Sequence, residues 1–307
     1  MTPDGHDDPP DSPDDHDLDW HHLQVLRWLA RHEPTSVRLA CPGTDRGGTR
    51  SEPLVVLPRC VSTLPAYRVA DLARVAGRVT VAPCACGAPE SVDGWREGLP
   101  GPLRDLVTPA GSSSRGRVLA EVRHPPIDRR GLFGLGHAGP DVPEHDAVDD
   151  DHARLVDSLR ALGVATPDAD GTRPAALVLR AEGCTACGVC VKSCPSGALE
   201  LVGADTRILR HDLSACVGHG VCIEWCPESA LSSRGHPDWH TVTHLAVSDL
   251  AVVATTVCRR CRDRFAGPGE LCPACAQRAG DPFGVHLPPK AAELLRRSRA
   301  ERETGNP

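Results

Sequence analysis

Two stretches of the chain carry one and the same spacing of metal-binding side chains. The first reads Cys184-Thr-Ala-Cys187-Gly-Val-Cys190-Val-Lys-Ser-Cys194-Pro195. The second reads Cys216-Val-Gly-His219-Gly-Val-Cys222-Ile-Glu-Trp-Cys226-Pro227, with a histidine where the first has its second cysteine. Thiolates two residues apart on a curling loop can converge on one centre at bond length. The fourth, on the next helical turn, faces away and can reach a second centre. Such a set suits iron–sulfur clusters, whose chemistry is the gain and loss of single electrons. The proline after each last cysteine turns the chain and leaves one backbone N–H fewer to satisfy.

The first run resembles the loop of the bacterial dicluster ferredoxins without departure, and the resemblance extends over residues 174–235. It implies a first 4Fe-4S cluster on Cys184, Cys187, Cys190 and Cys226. It implies a second cluster on Cys194, Cys216 and Cys222, with His219 at the remaining corner. There the sequence is similar to the small actinomycete ferredoxins that feed electrons to cytochromes P450, which implies a 3Fe-4S cluster with one corner open. The other readings are a 4Fe-4S cluster with His219 as a ligand, and a site that holds nothing. Trp225, beside Cys226, is expected to pack in the core or to shield the cluster from water.

Cys258-Arg-Arg-Cys261 and, ten residues later, Cys272-Pro-Ala-Cys275 offer two pairs of thiolates that can close a tetrahedron. This reads as a C-terminal zinc ribbon, structural because four thiolates leave no open position. Rubredoxin-type iron is the alternative, but rubredoxins have a longer gap and aromatic packing around the metal, which this segment lacks.

The remaining four cysteines, Cys41, Cys60, Cys84 and Cys86, each follow a short apolar run: Val37–Ala40, Leu54–Leu57 and Val79–Ala82. A helical pattern spans Ala66 to Ala76, with Val69, Leu72, Ala73 and Ala76 on one face. Strands alternating with a helix suggest a small parallel α/β unit, in which ligands gather at the C-terminal strand ends. The order resembles the delta subunit of methyl-viologen-reducing hydrogenases, which implies a further iron–sulfur cluster on these four cysteines. The chain departs from that family in the tight Cys84-x-Cys86 spacing and in offering one cysteine after the first strand. Zinc, or unligated thiols, are the other readings. The four groups account for all 15 cysteines.

The elements that must position these residues come from a chain poor in conventional core. It has 29 Gly, 29 Pro and 3% aromatic residues in 307, so small modules with metal sites are expected in place of one large core. Much of the net charge of −7 lies in a tail with eight aspartates over residues 4–19, expected to remain unfolded. An amphipathic helix over 20–32 follows. Residues 87–146, rich in Gly, Pro, Ser and Arg, read as a linker, with a joint at Gly111–Gly116 and no nucleotide-binding loop among the glycines of 131–139. A helix over 151–162 ends at Gly163. Ala176–Leu179 is expected to be the first strand of the ferredoxin unit, and 198–202 with 207–210 its hairpin. A polar loop holding Trp239 and a strand over 251–257 lead to Cys258. A short helix over 290–299 lies in the polar tail.

The expected fold class is α+β and multi-module. An acidic tail (1–19) precedes a small α/β unit (20–110), a linker and helix (111–173), a dicluster ferredoxin domain (174–235), a zinc ribbon (236–285) and a polar tail (286–307). No run of 18 apolar residues exists, so no membrane span is expected. Nothing basic or aromatic suggests a nucleic-acid surface. The metal-like cysteine spacings and the lack of a leader point to the cytoplasm, and the Arg129-Arg130 pair lies mid-chain without the apolar stretch an export signal needs. The expected function is electron transfer between redox partner proteins, a reductase or an oxidoreductase complex, with no acid, base or nucleophile required. The alternatives are an iron–sulfur subunit of a larger oxidoreductase, and a redox-sensing or zinc-scaffolded interaction protein.

Overall fold

The computed structural model describes residues 13–42, 49–83, 89–111, 118–126, 142–145, 150–163, 172–280 and 293–297. The chain divides into two compact units, Met1–Thr172 and Arg173–Pro307.

The first unit is built on a parallel sheet of β1 (Val37–Ala40), β2 (Leu54–Val56), β3 (Val79–Val81), β4 (Val107–Pro109) and β5 (Leu119–Glu121), in the order β4-β3-β1-β2-β5. All residues of β1 and β3 are buried, including the polar Arg38 and Thr80, which both donate to the Glu52 carboxylate at 2.8 Å. Three helices pack beside one another: α1 (Pro13–Ala30), α2 (Ala66–Ala76) and, after the short α3 (Pro89–Glu97) and α4 (Gly101–Arg104), α5 (Asp151–Ala161). Helix α5 is capped by Asp150, whose carboxylate accepts the Ala153 N–H at 2.8 Å. It buries Leu155, Val156 and Leu159.

Two expectations change here. Helix α1 begins at Pro13, so residues 13–19 belong to a helix rather than to an unfolded tail. Residues 111–173 are more than a linker, because they supply β5 and α5 to the first unit. A three-residue strand and a Gly-rich neighbourhood leave too little periodicity to reveal β5, and pairing with β2 supplies what local sequence lacks. The joint at 112–117, the glycines of 131–139 and the Arg129-Arg130 pair lie outside the described residues.

The second unit contains β6 (Leu179–Ala181), α6 (Val189–Ser193), β7 (Leu199–Val202), β8 (Thr206–Asp212), α7 (Val221–Glu224), β9 (Leu231–Ser233), α8 (Trp239–His244), β10 (Val247–Ala254), β11 (Thr256–Val257), β12 (Arg264–Phe265) and α9 (Pro273–Gly280). The hairpin β7–β8 lies where the sequence places it. The first strand lies three residues later than expected, at 179–181, because its partner β9 pairs with that segment. The loop expected around Trp239 is a short helix capped by Asp238, with Trp239 and Val242 buried. The larger difference is β10. It pairs antiparallel with β8 from Val247↔Asp212 to Ala254↔Thr206, giving a sheet of order β10-β8-β7. The strand that delivers Cys258 is thus the third strand of the sheet that holds β7 and β8, and residues 173–307 form one unit with no division at residue 235.

Candidate metal centres

Each thiol loop ends in a short helix entered through a left-handed glycine, Gly188 (φ 76°) before α6 and Gly220 (φ 73°) before α7. A β-carbon disfavours that conformation, so glycine at these two places lets each loop fold back over its own cysteines. The cysteines then divide between two hollows. Cys184, Cys187, Cys190 and Cys226 line one hollow, walled by Leu201, Leu209, Ala230 and Leu231. Cys194, Cys216, His219 and Cys222 line another, walled by Leu177, Leu179, Leu199 and His211.

The first hollow directs two backbone donors at sulfur, Ala186 N–H to Cys184 Sγ at 3.4 Å and Ala230 N–H to Cys226 Sγ at 3.2 Å. In the second, the Ser196 hydroxyl lies 3.6 Å from Cys194 Sγ. Burial, with Cys187 and Cys184 nearby, pushes the Cys190 thiol up to about 12. Burial raises Cys184 and Cys222 as well. Thiols raised in this way favour their protonated form, so binding a cation or cluster must release protons. His219 is exposed, but so is its counterpart Cys187, and exposure does not separate a ligand from a non-ligand here. Trp225 is 64% exposed and neither packs in the core nor covers a hollow. It lies with Val189, Lys192, Ser193 and Val221 along an open groove between α6 and α7.

The sulfurs of Cys258, Cys261, Cys272 and Cys275 lie within 4.8 Å of one another, close enough to hold one metal ion. The small β11–β12 hairpin carries the first pair, and α9 carries Cys275 one turn after Cys272. Burial opposes ionisation of Cys258, yet the backbone N–H groups of Cys261, Cys272 and Arg260 outweigh it and bring the thiol down to about 6. Burial and the neighbouring thiols push Cys275 up to about 12.

In the first unit, Cys41 follows β1 and Cys60 follows β2, with their sulfurs 3.8 Å apart at the C-terminal ends of adjacent strands. The Val61 N–H points to Cys41 Sγ at 3.4 Å. Cys84 and Cys86 lie outside the described residues.

Sequence reasoning missed two groups. Asp71, fully buried on α2, accepts from Ser158 Oγ on α5, from His145 Nε2 at 3.1 Å and from His22 Nε2 on α1 at 3.3 Å. Asp19 accepts from Tyr67, Arg68 and Arg154. Both carboxylates spend both oxygens on these donors, so the network joins three helices rather than offering an acid or base. Burial would raise Asp71, but the bonds from His145, His22 and Ser158 hold it down at about 2. The signal was an aspartate on the apolar face of α2. The other missed residue is His211, the one polar member of the inward row Leu209, His211, Leu213.

Residues 176–227 match the family model of the 4Fe-4S dicluster domain. No curated protein matches the chain. The chain thus carries an iron–sulfur dicluster domain of the class that passes electrons to redox partners, together with a C-terminal four-cysteine site. No helix among the described residues is long and apolar enough to cross a membrane.

Proposed function

We propose that this protein carries single electrons between redox partner proteins through two clusters held in its second unit. The observation that supports this most directly is the division of one thiol loop between two hollows, with Cys226 joining Cys184, Cys187 and Cys190 while Cys194 joins Cys216 and Cys222. Clusters that share loops in this way are held at a fixed separation, and they supply outer-sphere one-electron transfer when bound. The protein's own part is to bind them, exclude water with Leu201, Leu209, Leu199 and Leu179, and set their potentials through hydrogen bonds to sulfur. No side chain has to move a proton.

On this reading the first hollow takes a 4Fe-4S cluster and the second a 3Fe-4S cluster, open at His219. A His219-ligated 4Fe-4S cluster is the second reading, favoured by the position of His219 on the wall of the hollow. Zinc occupies Cys258, Cys261, Cys272 and Cys275 and ties down the end of the cluster sheet. The N-terminal Cys41 and Cys60, with Cys84 and Cys86, hold a further cluster. That extra centre would make the chain a relay within a larger oxidoreductase rather than a free carrier. The acidic composition and the thiol usage fit the cytoplasm.

Metal and sulfide analysis of anaerobically prepared protein tests this, with EPR in both redox states. About seven iron and one zinc with a three-iron signal in the oxidised protein is the expected result. About eight iron without that signal makes His219 a ligand, and about four more places a cluster on the N-terminal cysteines. Zinc without sulfide, even after reconstitution, would remove the electron-transfer reading.

A further inference from the structure

The two hollows share a floor, one face of the β7–β8 hairpin. Leu201 and Leu209 lie opposite each other in the ladder, and both line the first hollow. Two residues along, Leu199 and His211 lie opposite each other, and both line the second. The period-two alternation of a strand makes these pairs equivalent. The second floor therefore differs from the first by one imidazole in place of an aliphatic side chain.

That imidazole is 1% exposed. Its Nε2 is buried and has no hydrogen-bond partner among the described residues. Buried polar atoms in native structures are nearly always paired, and an orphan at the wall of a cofactor site calls for an acceptor that the cofactor brings. The polar remainder of the wall consists largely of the thiols of Cys194, Cys216 and Cys222 with the imidazole of His219, and an occupied hollow presents sulfur acceptors.

We propose that His211 donates a hydrogen bond from Nε2 to a sulfur of the cluster in the second hollow and makes that cluster easier to reduce than it would be on an aliphatic floor. The inference rests on the electron-carrier reading above. Reduction adds one electron, supplied by the donor, and negative charge accumulates on the sulfurs. An N–H···S bond strengthens as that charge grows, so it favours the reduced form, while the imidazole keeps its proton. No equivalent side-chain donor stands on the floor of the first hollow, where Leu209 occupies the matching place.

The test uses the full chain, reconstituted anaerobically with ferrous iron and sulfide, and follows both clusters by EPR during titration with dithionite. His211→Leu copies the first floor, and His211→Gln restores a donor of different shape. With His211→Leu we expect the oxidised-to-reduced ratio of the second cluster at a fixed potential to rise about tenfold, which for one electron is about 59 mV. The first cluster should not shift, the iron count should not change, and His211→Gln should recover part of the effect. In protein carrying His219→Ala, nitrogen-15 histidine labelling should give a weak hyperfine coupling to the second cluster. That measurement holds even where His211→Leu fails to fold. Unmoved potentials, or no such coupling, would overturn the proposal and assign His211 to packing alone. Loss of one cluster's iron in His211→Leu, with iron kept in His219→Ala, would also overturn it, because His211 would then be a ligand. An unaltered protein that loads only about four iron would overturn the proposal by removing the second cluster while leaving a one-cluster electron carrier, whereas zinc without sulfide would remove the carrier reading itself.

Discussion

The sheet of β1 to β5 and the sheet of β7, β8 and β10 solve the same problem in opposite ways. The first buries its central strands on both faces, and three helices held by Asp71 and Asp19 lie beside one another. The second is thinly covered. Val247 and Val252 of β10 are 60% and 66% exposed, and cysteines make up much of what is buried around it. A unit that lacks apolar area can hold its shape by ligation instead, since binding free energy in a site absent from the unfolded chain is folding free energy. The difference teaches where each half is vulnerable: the first to loss of a side chain, the second to loss of a metal.

The widest separation should come from stripping metal under anaerobic conditions. We expect the second unit to lose on the order of 10 kcal/mol, the scale of thiolate-bound structural zinc, and the first to lose nothing. Hydrogen exchange would show this as fast amides over 199–257 beside persistent protection over 37–81. Equal loss in both sheets would break the comparison.

Asp71→Ala reverses the pattern. It strands His22, His145 and Ser158 in the interior and should cost the first unit about 3–5 kcal/mol by denaturant unfolding. The cluster spectrum of the second unit should be unaffected. A change in that spectrum would mean that the units do not stand independently.

Acid sharpens the same contrast. Asp71 is lowered from 3.8 to about 2 in the folded protein. A carboxylate with a depressed value contributes stability that is complete above its ordinary range and is lost as pH falls through the folded value. Between about pH 4 and pH 2 the first unit should lose about 2 kcal/mol from Asp71. His22 acts in the same direction at higher pH. Burial holds it below its ordinary 6.5, so the unfolded state takes up a proton first and stability falls as pH drops below that value. Asp71→Asn should flatten the lower part of the profile and deepen the upper part, because the Asp71 carboxylate is what raises His22 against its burial.

The smallest effect is expected on the exposed face of the second sheet. Arg210 reaches Asp249 of β10 at 2.9 Å, with both side chains well exposed. Arg210→Ala should cost about 0.5 kcal/mol or less, read as a shift in denaturant midpoint, because water and salt screen such pairs. A cost of several kcal/mol would show that β10 depends on this pair and not on the metal site at its end.

The sequence by itself determined the thiol loops, the four-cysteine site and the first three strands with their helix. These depend on local facts: ligand spacing within a few residues, a glycine at each loop end, short runs rich in Val and Leu, the 3.6-residue repeat of Val69, Leu72, Ala73 and Ala76. Even the exchange of Cys194 and Cys226 between hollows follows from one helical turn. Only the tertiary structure decided the rest. It extended α1 back to Pro13, because Asp19 finds its partners on α2 and α5, 48 to 135 residues away. It joined β5 to the first sheet and β10 to the second through ladders that no local pattern records. It also placed His211 beneath the second hollow with its nitrogen unpaired. Whether a histidine in an apolar row is packing or chemistry depends on what lies across the strand from it, and that is settled by pairing, not by sequence.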